Sequence, residues 1–322
     1  MKRILVIGGT YFAGKSFLSN IIDNNIREEK GELELTVLNR GSRSLKEVLG
    51  GQYDRAIASE RISFKELSCD RTDEDALKGV LSGKERFDAV VDFCAYNPGD
   101  IEKVFNALDT APGQYIFLST CDVYERGTGR ISDEDAPFEH RSFPGEAGAY
   151  ISGKVALEEE LDKLCEKTQT AKTVFRPSVI FGEGNYAPRE GMYFKWISGA
   201  GQIIHPEDAS GTFQLTYVGD VAEAITRCLC NESAYGKAYN LIGTKPLSYD
   251  DFADILEKAF GRAIERVKMP VSEIVARGIP LPFPLYAEES ETYTGERIKE
   301  LGLTYSDVNE AMRRTWEARM PK

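Results

Sequence analysis

Tyr150 and Lys154 stand four residues apart in AYISGKVALEEEL, a segment whose apolar positions recur at helical spacing. On a helix both side chains share one face. An ammonium group beside a phenol favours the phenolate, so the pair could move a proton to or from a carbinol oxygen. Upstream, the apolar run QYIFLS leads into Thr120, which places a hydroxyl at the strand edge where an open sheet collects its ligands. A tyrosine and a lysine at this spacing are, by themselves, usually surface neighbours, so the pair needs company elsewhere in the chain.

That company begins at GGTYFAGKSFL, residues 8–18, where two phosphate-binding patterns overlap. Counted from Gly9 it is a P-loop, G-x-x-x-x-G-K-S, in which Lys15 and Ser16 would serve a nucleotide triphosphate and its Mg²⁺. The run AVVD, ending in Asp92, imitates the acidic strand of such an ATPase or kinase. Counted from Gly8 to Gly14 it is a dinucleotide-binding turn in which Tyr11 replaces the middle glycine. Either reading demands a strand, a glycine turn and a helix whose first N–H groups hold phosphate oxygens, so the stretch alone cannot decide.

The end of the next apolar run decides. LNRGSRS places Asn39 and Arg40 where a dinucleotide fold meets the adenosine ribose. An acid there would bind the 2′-hydroxyl of NAD, whereas arginine suits the 2′-phosphate of NADP. The acid is absent and Arg40 stands with Ser42 and Arg43, which favours NADP over NAD; the competing reading is a solvated basic turn.

The elements that must position these residues follow from the rhythm of the chain. Apolar runs at 3–7, 34–38, 63–67, 88–92, 114–118 and 173–176 alternate with helix-period segments beginning near Gly14, Thr72, Pro98 and Gly148. That alternation predicts an α/β fold, a doubly wound parallel sheet with right-handed crossovers. Past residue 182 the chain turns rich in glycine, proline and aromatics, notably GEGNYAPREGMYFKWISGAG and IPLPFPLY. The expected division is a dinucleotide-binding domain over 1–182 to which 213–244 return, and a smaller, discontinuous substrate lobe from 183–212 and 245–322. In that lobe Tyr186, Arg189, Tyr193 and Trp196 are candidates to cover a substrate, with core packing as the alternative.

Composition narrows the function. The 322 residues, 42% hydrophobic and 29% charged, can bury a substantial core. A net charge of −12 and a pI near 4.9 disfavour nucleic acid and anionic membranes as partners. The first apolar run is too short for a signal peptide, and no run approaches the ~18 residues of a membrane span, so a cytoplasmic protein is expected. Six cysteines form no C-x-x-C pair, and His140 and His205 lie far apart; reduced thiols and no metal site are expected. The charged runs REEKGELE and ALEEELDKL read as solvated helix faces.

Taken together, GGTYFAG, LNRG, CDRTD, VVDFCAY, FLSTCDVY, YISGK, FRPSVIFGEGN, LTYVGDVAEAI and YNLIGTKPLSYDDFADIL resemble, in order and spacing, the short-chain dehydrogenase/reductase superfamily, in its extended or atypical epimerase/dehydratase branch. The resemblance spans nearly the whole chain. It implies an NAD(P)-dependent Rossmann enzyme that moves hydride at a secondary alcohol or ketone of a small molecule, including a sugar or nucleotide sugar. Gly8, Thr10, Tyr11, Phe12 and Gly14 would surround the pyrophosphate, with Asn39 and Arg40 at the ribose and Asp70 at the adenine. Phe93, Cys94 and Ala95 would line the path to the nicotinamide, and Pro177 and Ser178 would pack near its carboxamide. Tyr150 would be the acid/base, Thr120 would steady the substrate oxygen, and Lys154 would hold the nicotinamide ribose and tune Tyr150.

Departures from the pattern matter too. Nucleotide-sugar members carry an arginine where this chain has Phe213, which weakens that substrate class. Dehydratase members resemble STDEVY, whereas STCDVY here leaves Asp122 as one candidate acid, with a loop cap as its alternative. The same branch includes chloroplast RNA-associated proteins, so RNA binding without turnover stands as an alternative function, beside a P-loop kinase or ATPase built on Gly9 to Ser16. Relatives occur as monomers and as homodimers formed through the helices near Pro98 and Gly148.

Overall fold

The computed structural model describes residues 1–319. From the N-terminus, β1 (Lys2–Ile7) turns into α1 (Phe12–Arg27), and β2 (Leu33–Asn39) is followed by the short helices α2 (Leu45–Leu49) and α3 (Gly51–Ala58). Next come β3 (Ile62–Ser68), α4 (Glu74–Leu81), β4 (Ala89–Asp92), α5 (Asp100–Ala107) and β5 (Gln114–Leu118). A two-residue strand β6 (Ile131–Ser132) precedes the long helix α6 (Gly145–Thr168) and β7 (Ala171–Pro177).

The remaining chain alternates smaller pieces: β8 (Val179–Phe181), α7 (Glu190–Ala200), β9 (Gln202–Pro206), β10 (Leu215–Tyr217), α8 (Val218–Cys228) and β11 (Lys237–Leu241). It ends with α9 (Tyr249–Phe260), β12 (Glu265–Met269), α10 (Val271–Ala276), β13 (Thr292–Tyr293) and α11 (Val308–Glu317).

Seven strands form one sheet in the order β11-β7-β5-β4-β1-β2-β3, every pair parallel. Such a sheet is buried on both faces, which is why Ile4 to Ile7 form an unbroken apolar run with no exposed surface. One face is covered by α1 and α8 through Phe17, Leu18, Ile21, Val221 and Ile225. The other is covered by α4, α5 and α6 through Leu77, Leu81, Ile101, Val104, Leu157 and Leu161. Strand order reverses at β1, so a crevice opens at the C-terminal ends of β1 and β4.

The six expected strands appear, five of them at their expected places or one to three residues longer, while β4 starts at Ala89. The stretch AYNLIG returns to the sheet as β11 against β7. Helices α2 and α3 were not foreseen; a capping box between Ser44 and Glu47 starts the first of them. Beyond the main sheet, β8 pairs with β10 and β9 with β12. Phe181, Phe194, Phe213, Phe252, Phe283 and Met312 form a separate apolar cluster there. No helix among the described residues is long and apolar enough to cross a membrane.

Candidate functional site

One cleft of about 1300 Å³ lies at the C-terminal ends of the strands, running from the glycine turn to the loops around Phe213 and Tyr293. At its first end, β1 must turn sharply into α1. Gly8 adopts φ +85, and a side chain on Gly14 would run into the Gly8 carbonyl. Only glycine permits this approach. Helix α1 begins at Phe12 with no side-chain cap at its N-terminus, which leaves its first N–H groups directed at the cleft as an anion site. Phe12 itself sits at φ +35, a conformation that costs a non-glycine residue energy and clusters at ligand sites.

The loop after β2 is tied to this turn. Thr10 Oγ1 donates to Asn39 Oδ1 at 3.1 Å, and Arg43 Nη2 donates to the Thr10 carbonyl at 3.3 Å. Arg40, Ser42 and Arg43 all face the cleft, with Arg40 and Arg43 exposed. Asp70 lies opposite them, its carboxylate accepting from the backbone and hydroxyl of Thr72 at 2.9 and 2.8 Å. Those bonds, backbone first, hold its carboxyl below the ordinary range.

Behind this half lies a residue that the sequence did not single out. Arg71 is buried, with Nη1 donating to both oxygens of Asp92 at 2.7 and 2.8 Å and Nη2 donating to the Asp100 carbonyl at 2.6 Å. Asp92, fully buried, also accepts from Tyr115 Oη at 2.7 Å and from the Cys94 amide at 3.0 Å. The network fixes the loop after β3 to the end of β4, and it leaves Asp92 no freedom to hold a Mg²⁺ ion.

The P-loop reading fails on the other side of the turn as well. Gly9 is packed between Leu18 and Val37. Lys15 is an exposed residue in the first turn of α1, and Ser16 donates to the Val218 carbonyl at 3.3 Å. None of the three lines the cleft.

In the middle of the cleft, β5 delivers Thr120 and α6 delivers Tyr150 and Lys154 from one face. Lys154 is 1% exposed. Its Nζ donates to the carbonyls of Ala95 and Leu118, both at 2.9 Å, and lies 4.8, 4.7 and 5.8 Å from the ring centroids of Tyr96, Phe117 and Tyr150. Burial is the main cause that brings its pKa down to about 8, with Asp92 opposing. Two of its three donors are used, and the side chain borders the cleft.

Tyr150 shows the expected placement but not the expected electrostatics. Burial, then the charge of Asp122, pushes the phenol above its ordinary value, with Thr120 beside it pulling the other way. The net shift is upward, against the lowering expected from a neighbouring Lys154, because burial is the largest cause.

Of the other expected residues, Phe93, Cys94, Pro177 and Ser178 line the cleft. Burial pushes the Cys94 thiol up to about 11, which keeps it unreactive. Ala95 is fully buried and does not line the cleft; its contribution is the carbonyl that holds Lys154.

The far end is built from distant segments. Asp122 Oδ1 pairs with Arg126 at 3.1 Å, and Oδ2 accepts from Thr120 Oγ1 at 3.2 Å; it is Thr120, not Asp122, that caps the turn over Cys121–Val123. Phe213 stacks on Phe283 at 3.7 Å between centroids and presents no charge. Arg126, Arg189, Glu291 and Tyr293 complete this end. Tyr186 and Arg189 reach the cleft as expected, whereas Tyr193 is buried in the apolar cluster against Phe252, and Trp196 packs edge-on against it outside the cleft. Their spacing along α7 with Phe194 and Ile197 was the signal for an inward face.

Residues 4–241 match the model of the NAD dependent epimerase/dehydratase family. The chain is similar to the chloroplast stem-loop binding protein of 41 kDa b of Arabidopsis thaliana, 30% identical over 260 residues that make up 81% of this chain and 64% of that one. It is 26% identical over 224 residues to N-acetyl-alpha-D-glucosaminyl-diphospho-ditrans,octacis-undecaprenol 4-epimerase of Escherichia coli O157:H7, 62% of each chain. In both, the matched segment spans less than two thirds of the relative. In fold it is similar to UDP-glucose-4-epimerase from Stenotrophomonas maltophila with bound NAD and formylated UDP-arabinopyranose, with a TM-score of 0.75 at 15% identity, covering 99% of this chain and 98% of that one.

Proposed function

The chain belongs to the NAD dependent epimerase/dehydratase family, and on that premise we propose that it moves hydride at a secondary alcohol or ketone of a small molecule, with NADP preferred over NAD. The observation that carries this reading is a single cleft that holds a glycine turn at one end and Thr120, Tyr150 and Lys154 in its middle. A bound dinucleotide would supply the hydride donor and acceptor. The crowded Gly8–Gly14 approach and the uncapped start of α1 fit its pyrophosphate. Arg40 and Arg43 would hold a 2′-phosphate, Asp70 would meet the adenine, and the third donor of Lys154 would take a ribose hydroxyl.

Tyr150 retains its proton at neutral pH and would donate it to a carbonyl oxygen as that oxygen gains charge, with the Thr120 hydroxyl turning from Asp122 Oδ2 to donate a second bond to the same oxygen. In the opposite direction Tyr150 would take the carbinol proton back. Hydride return to the other face of the same carbon gives epimerisation; otherwise the result is net oxidation or reduction. Asp122, engaged by Arg126 and Thr120, would orient Thr120 rather than add or remove water. The six unpaired thiols support a cytoplasmic setting.

Calorimetric titration with NADPH, NADH and Mg-ATP tests the reading. NADPH should bind in preference to NADH, and binding of Mg-ATP without either dinucleotide would overturn it. Stem-loop RNA, the ligand in the name of the Arabidopsis relative, is opposed here by the net charge of −12. Micromolar RNA binding with a steep salt dependence would be the contrary result.

A further inference from the structure

We infer that Tyr186, together with Tyr11 and Tyr96, forms an aromatic clasp across the cleft that retains a bound dinucleotide and sets its release rate. The inference rests on the reading of the cleft as a dinucleotide site. Tyr11, at the position where the glycine pattern has its middle glycine, points outward and is 52% exposed. Arg43 lies 5.6 Å from its centroid, and the Tyr186 ring lies 5.4 Å from it. Tyr186 also meets Phe12 edge-on at 6.1 Å, and its phenol lies beside that of Tyr96. The row Arg43–Tyr11–Tyr186–Tyr96 thus runs from the loop proposed for the 2′-phosphate to the ring that covers Lys154.

The mount of Tyr186 is rigid although its ring is 64% exposed. On its N-terminal side the Asn185 amide donates to both oxygens of the buried Glu190 carboxylate at 3.0 and 2.9 Å. The Asn185 carbonyl accepts from Arg319 at 2.9 Å. On its C-terminal side the Ala187 amide donates to Asn185 Oδ1 at 3.0 Å. Gly184, at φ +82, brings the segment to 4.0 Å from the Phe12 backbone, measured from where a Cβ would stand. Core packing does not require this large side chain to be held out over a cleft. Two rings that meet across a bound chain of phosphates must part before the ligand leaves, so their loss should appear in the dissociation rate.

The test is stopped-flow release of NADPH, followed by its fluorescence after chase with excess NADP⁺. Tyr186→Ala should speed release by about tenfold or more, and Tyr11→Ala should act in the same direction. The double variant should release hardly faster than Tyr186→Ala, because both remove one shared contact. Tyr186→Phe, which keeps the ring, should stay within about threefold of wild type. Unchanged thermal melting shows that the exposed substitutions leave the fold intact. Release within about twofold of wild type in both alanine variants, with NADPH still bound, would overturn the clasp alone. Failure of the wild-type chain to bind either dinucleotide would overturn the reading of the site itself.

Discussion

The two ends of the cleft are built by different means. The glycine-turn end comes from the ends of adjacent strands, β1, β2, β3 and β4, whose loops are locked by buried groups such as Arg71 and Asp92. The far end gathers Asp122, Arg189, Phe213 and Tyr293 from segments that lie far apart along the chain. At the first end, backbone crowding leaves one geometry. At the second, side chains on loops set the shape, and loops are where specificity diverges on a common scaffold. On the proposed function, the contrast teaches that cofactor binding follows from the sheet and its first turns, while substrate choice resides in the attachments.

Substitutions can break or sharpen this contrast. The largest effect is expected at the junction of the two ends: Tyr150→Phe should lower kcat by about 10³-fold while NADPH affinity, measured by calorimetry, stays within about twofold. Turnover at the wild-type rate would remove Tyr150 from the chemistry. At the crowded end, Gly14→Ala forces a Cβ into the Gly8 carbonyl and should weaken NADPH binding on the order of 100-fold, with a lower melting temperature. Intact binding would mean that the turn is looser than its packing indicates.

Lys154 gives a pH test. Its pKa in the folded chain is about 8 against an ordinary 10.5, so between these values the unfolded chain binds the proton that the folded chain has released. Stability therefore rises with pH across this interval, while below it the full burial penalty is present. Relative to Lys154→Met, the wild type should gain on the order of 2–3 kcal/mol between pH 7.5 and 10 in urea unfolding. A constant difference would show that the ammonium is solvated.

Smaller effects remain at the exposed loop. Arg40→Ala should weaken NADPH binding by about tenfold and leave NADH unchanged, whereas equal losses would assign Arg40 to packing. Lys15→Ala should leave dinucleotide binding within about twofold, because its side chain faces away from the cleft; a strong loss would bring the P-loop reading back.

Much of the glycine-turn end was legible because its signals are local. Buried parallel strands read as unbroken apolar runs, and the Tyr150–Lys154 spacing needs only a helix to put both on one face. Arg71 was not legible, since nothing in CDRTD marks which of its side chains turns inward. Its four acceptors, two on Asp92, one on Cys94 and one on Asp100, converge only in the folded chain. The direction of the Tyr150 shift was missed for the same reason: its main cause is burial of the phenol, with the charge of Asp122 next, and both arise only once the chain has folded. Tyr186 and Tyr193 lie close in sequence, yet one reaches the cleft and the other fills the core, because α7 begins between them.

The place of β11 in the sheet has a consequence for biosynthesis. β7 is hydrogen-bonded to β5 on one edge and to β11 on the other. Lys237, where β11 starts, leaves the ribosome about sixty residues after Pro177, a delay of about 3–12 s at ordinary elongation rates. Throughout that interval the outer edge of β7 offers unpaired N–H and C=O groups to any neighbouring nascent chain, so cellular yield should depend on chaperone cover more strongly than the stability of the finished protein implies.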